Sequence, residues 1–76
     1  MQIFLVERTD DVGYDEFKAF VCYARNAEDA GNMLPGRFKN TWIDLTKKDR
    51  PITVTAIGFS NKVTKARVIL GSFKEG

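Results

Sequence analysis

Hydrophobic and polar residues fall into eight successive patterns along the chain. "MQIFLVER" is apolar and rich in β-formers, the pattern of a buried strand. "TDDVGYDE" is polar around a glycine and predicts a loop. In "FKAFVCYA" simple alternation puts Phe17, Ala19, Val21 and Tyr23 on one face and Lys18, Phe20, Cys22 and Ala24 on the other. "RNAEDAGNMLPG" then changes period. Asn26 is a good N-cap, Glu28 and Asp29 fall in the first turn, and Ala27, Ala30, Met33 and Leu34 share a helical face. Gly31 weakens this helix and Pro35-Gly36 ends it, so about two turns are expected. "RFKNTWIDLTKKDRP" has no clean period and is expected to be a structured connector. "ITVTAIGF" and "ARVILGSF" are two further strands around the turn "SNKVTK".

The order β-β-α-connector-β-β predicts a single α+β domain over residues 1–76. In it a four-stranded antiparallel sheet carries one short helix on one face. Alternation would place Phe4, Val6, Phe20, Cys22, Ile57, Phe59, Ile69 and Phe73 on the other face. That is too much apolar surface to leave in water. Either the connector with Trp42, Ile43 and Leu45 covers it, or a second copy in a homodimer does.

Composition changes this picture little, and charge somewhat more. The 76 residues are 43% hydrophobic and carry a net charge of +2. Residues 1–30 hold seven acids and three bases, a net −4, whereas residues 31–76 hold nine bases and three acids, a net +6. Such polarity can steer a charged partner. The single cysteine excludes an internal disulfide and fits a reducing, cytoplasmic setting. The opening residues lack a basic segment and a long apolar run, so neither a signal peptide nor a membrane span is expected.

Candidate chemistry is sparse. The acidic stretch "ERTDDVGYDEF" does not meet the calcium-loop template, which needs glycine sixth and glutamate twelfth. Counted from Asp10, the glycine comes fourth. No metal or cofactor site is expected, and the loop is expected to be solvated. Its functional reading is an acidic contact surface made by Asp10, Asp11, Tyr14, Asp15 and Glu16. The chain has no histidine, and Cys22 lies within a predicted strand, where it reads as a small core residue. No catalytic residues are assigned, and an enzyme is not expected. The connector sets Arg37, Lys39, Lys47, Lys48 and Arg50 among Phe38 and Trp42. Bases with stacking aromatics suit single-stranded nucleic acid, yet in a small protein both aromatics are more often core.

Two stretches carry a resemblance. "MQIFLVERTDDVGYDEFKAFVCYARNAEDA", with its Asp-x-Val-Gly-Tyr-Asp-Glu loop, and the ending "VTAIGFS…VILGSFKEG" resemble a group of small bacteriophage proteins without assigned chemistry. In that group the tail reads Val-Ile-Leu-Ala-Ser-Phe-Asn-Ala-Gly. Here Gly71 replaces the alanine and Lys74-Glu75 replaces Asn-Ala. The resemblance implies a phage accessory protein, acting in the host cytoplasm, that binds and modulates a host or defence-system protein. Binding single-stranded nucleic acid through residues 37–50, or a small molecule such as a nucleotide between subunits, are the alternatives.

Overall fold

The computed structural model describes residues 1–37 and 39–74; Phe38, Glu75, Gly76 and the side chains of Lys39 and Lys74 lie outside the described residues. Strands β1 (Gln2–Arg8), β2 (Glu16–Ala24), β3 (Ile52–Phe59) and β4 (Arg67–Lys74) form one antiparallel sheet in the order β3-β1-β2-β4. The helix α1 (Ala27–Gly31) and a 3-10 turn (Lys39–Thr41) complete the α+β domain. The hairpin β1–β2 is the centre of the sheet, with Val6 opposite Phe20 and Phe4 opposite Cys22.

The helix starts as the sequence predicts and stops sooner. Asn26 is extended, and its side-chain oxygen accepts a hydrogen bond from the Asp29 amide at 2.8 Å. Five residues follow, fewer than the two turns expected. The Asn32 amide closes the end by donating to the Ala30 and Asp29 carbonyls. Met33 and Leu34 leave the helix and pack beside the core from outside it.

One face of the sheet holds the whole core. Phe4, Val6, Phe20, Cys22 and Ala24 come from the sheet, Ala30 from α1, and Trp42 and Ile43 from the connector. The Phe20 and Trp42 rings meet edge to face, with centroids 5.1 Å apart. Of the two covers expected for Phe4 and Phe20, the connector is therefore the one present. It lies on the same face as the helix.

This arrangement corrects the expected faces. Directly opposed residues in antiparallel strands point the same way, and an extra residue in one strand reverses its alternation. Three such residues occur. Phe17 opposes Phe73 and Ala19 opposes Ser72, so Lys18 is extra in β2. Ile3 opposes Gly58 and Phe4 opposes Ala56, so Ile57 is extra in β3. Val21 opposes Leu70 and Cys22 opposes Val68, so Ile69 is extra in β4. Ile52 and Val54 consequently pack with Phe4 and Val6, whereas Ile57 and Ile69 are exposed; Phe59, opposite Gln2, keeps the expected side but is exposed there. Phe17 also joins the core side, although simple alternation assigns it to the opposite face.

The Phe17 ring fits a slot that two glycines make possible. A Cβ on Gly36 would lie 2.9 Å from one ring edge, and a Cβ on Gly71 would lie 2.6 Å from the other. Phe73 closes the slot edge to face, at 4.9 Å. Gly71 thus falls where an aromatic ring needs the space.

Candidate functional site

The acidic loop is organised around Arg8. Its side chain is only 6% exposed, and it lies 5.8 Å from the Trp42 ring centroid. Nε and Nη2 donate to the two Asp10 carboxylate oxygens at 2.8 and 2.7 Å, a bidentate pair. Glu16 Oε1 lies 3.6 Å from Nη1 and accepts the Gly13 amide at 2.8 Å. Two of the acids therefore build the loop. Asp11, Tyr14 and Asp15 form its exposed side, with Asp15 at φ 61° in the left-handed region that aspartate tolerates. Among the described residues, no group of three acid or thiol side chains converges as a metal would require.

Hydrogen bonding from Arg8 holds the Asp10 carboxyl below its ordinary value of 3.8. A carboxyl with a lowered pKa stabilises the fold above its unfolded pKa and loses that contribution as pH falls through the folded value. Asp10→Asn is expected to cost at most about 1 kcal/mol at pH 7, because the pair is partly solvated. Urea melts should show that difference shrinking as pH drops below the ordinary aspartate range. Equal midpoints at pH 7 would mean that the pair contributes nothing.

The connector divides differently from its composition. Arg50 turns inward. Its Nη1 donates to the Gly31 carbonyl at 2.9 Å, Nη2 to the Leu45 carbonyl at 2.6 Å and Nε to the Lys47 carbonyl at 3.2 Å. It also bonds the Asn32 side-chain oxygen. This one guanidinium ties the end of α1 to residues 45–47. Trp42 is 4% exposed and presents no ring face to a base. Arg37, Lys47 and Lys48 remain exposed, and Phe38 and the Lys39 side chain lie outside the described residues.

Beside this tie lies a cleft of about 570 Å3. Leu34, Trp42, Ile43 and Leu45 give it an apolar lining, and Asn40, Asp44 and Thr46 add polar groups. Asp44 Oδ1 accepts from both the Thr46 hydroxyl, at 2.6 Å, and the Thr46 amide, at 2.9 Å. These bonds, the hydroxyl first, lower the carboxyl pKa and keep it anionic. Sequence reasoning placed Trp42 among the binding residues but missed Leu34, Asn40, Ile43, Asp44, Leu45 and Thr46. Leu34 reaches the cleft from the segment that follows the end of α1 at Gly31.

The second candidate surface is the uncovered side of the sheet, which carries Ile3, Leu5, Val21, Tyr23 and Leu70. The acidic loop residues and the exposed connector lysines belong to neither the cleft lining nor this face. Among the described residues, no helix is long and apolar enough to cross a membrane. No protein-family model, curated protein or solved structure matches the chain.

Proposed function

We propose that this protein acts by binding another protein, which inserts an apolar side chain into the cleft between Leu34 and Leu45. The observation that carries this reading is the cleft itself: an apolar lining of Leu34, Trp42, Ile43 and Leu45 beside polar groups. Such a depression suits the buried anchor residue on which binding energy concentrates in protein interfaces. The surrounding connector favours an acidic flank on the partner, because residues 37–50 hold five bases and two acids, a net +3. The resemblance to phage accessory proteins supports a host or defence-system protein as that partner, met in the host cytoplasm. No catalytic role is proposed for any residue.

The test is capture from bacterial host lysate by tagged protein, compared with variants of unchanged fold. Leu45→Glu and the pair Lys47→Glu/Lys48→Glu should each weaken capture about tenfold or more, whereas Lys62→Glu in the β3–β4 turn should not. Capture indifferent to Leu45→Glu would remove the cleft from the interface. The cleft volume also falls in the range of small-molecule sites, roughly 300–1,000 Å3. A low-mass lysate fraction that raises the melting temperature of the native protein, but not of Leu45→Glu, would make the occupant a small molecule. Single-stranded oligonucleotides are expected to bind weakly, with no contribution from Trp42 stacking.

A further inference from the structure

We propose that two copies of this chain pack face to face through the uncovered side of the sheet, opposite the cleft-bearing layer. Directly opposed pairs put Leu5, Val21 and Leu70 side by side across β1, β2 and β4. Leu70 is 68% exposed. A half-sheet exposed to water normally shows polar residues at these positions. Here Leu5, Val21 and Leu70 flank a groove of about 240 Å3, with the small residues Ala19 and Ser72 also lining it. A facing apolar side chain would fit there.

Charge identifies the occupant as a second copy. The face carries Glu7 at one end, two positions beyond Leu5, and Arg67 at the other, opposite Tyr23. The Arg67 guanidinium rests 5.5 Å from the Tyr23 ring centroid, which holds it over this face. A two-fold axis in the plane of contact, set midway between these residues, carries each Glu7 onto the partner's Arg67. The face is therefore its own electrostatic complement, as an isologous dimer requires.

Sedimentation of the intact protein over roughly 1 to 500 µM, a span that covers transient to stable affinities, is the first measurement. A species of twice 8.6 kDa should form within it. Leu70→Glu should weaken association about a hundredfold while leaving the circular dichroism and melting of the monomer unchanged. Glu7→Arg and Arg67→Glu should each weaken self-association about tenfold or more, because like charges then meet. Mixed together, these two variants should restore it, since both contacts in the mixed dimer are again between opposite charges. A chain that stays at 8.6 kDa throughout overturns the proposal. So does a dimer indifferent to Leu70→Glu, or charge variants that fail to rescue one another. Because Leu45 lies on the other layer, loss of capture by Leu45→Glu and loss of association by Leu70→Glu report on separate surfaces.

Discussion

Replacing Phe20 with alanine is expected to remove a large share of the stability of the fold. Phe20 is 1% exposed, is the largest fully buried side chain, and stands between the central strands and the Trp42 ring. Truncating a buried phenylalanine costs about 3–5 kcal/mol, the sum of lost transfer energy and an unfilled cavity. A chain of this length has only about 4–11 kcal/mol of total stability, at roughly 0.05–0.15 kcal/mol per residue. Phe20→Leu should cost less, under about 2 kcal/mol, because most of the volume is retained. Trp42 is the single tryptophan and is buried, so its fluorescence reports unfolding directly. A urea midpoint for Phe20→Ala equal to that of the native chain would show that the ring is not central to the core.

Arg50→Ala is expected to cost about 2–3 kcal/mol, an unusual effect for a residue of a lysine-rich connector. The substitution leaves the Gly31 and Leu45 carbonyls, both partly buried, without the donors they now have. Unmade bonds to such groups cost about 1–3 kcal/mol. Arg50→Lys should recover only part of the loss, since one ammonium cannot reach both sides of the gap that the guanidinium fork spans. The damage should be local as well as global. Hydrogen exchange at the amides of Thr46 and Lys47 should accelerate beyond the overall destabilisation, because the bonds from these amides to Asp44 lie in the segment Arg50 secures. If Arg50→Lys matches the native chain in both measurements, charge rather than the fork explains the role of Arg50.

The contrast between these two residues shows what the sequence could reveal. Phe20 is apolar within a β-forming run, and its burial follows from composition alone. The strands, the Asn26 cap and the fold class were equally legible, because each depends on local pattern. The faces were not. Lys18, Ile57 and Ile69 are each one residue too many for their partner strand, and nothing in their identity marks them as extra. Once one is counted as ordinary, the residues before and after it cannot both be assigned correctly, which is why Phe17, ahead of Lys18, and Ile52 and Val54, ahead of Ile57, were placed on the wrong side. Arg50 was hidden for another reason. In sequence it is one base among Lys47, Lys48 and Arg37, and only the three-dimensional return of the connector towards α1 brings two carbonyls within its reach. The cleft depends on that same return, so Leu34 and Leu45 had no visible relation. The acidic loop was half legible: its exposed side was expected, but the pairing of Asp10 with Arg8 needed the 8–10 segment to curl back on itself.

The extra residues Ile57 and Ile69 have a consequence for colloidal behaviour. Each lies in a strand with one unpaired side, β3 or β4, and these are the two margins from which a sheet would lengthen by recruiting further chains. An irregularity of this kind sharpens local twist and breaks the even row of amides and carbonyls that an incoming strand would need. "ITVTAIGF" and "RVILGSFK" are otherwise good material for cross-β stacking. Interrupted in this way, both margins resist lateral growth, and fibril formation would first require one of them to straighten.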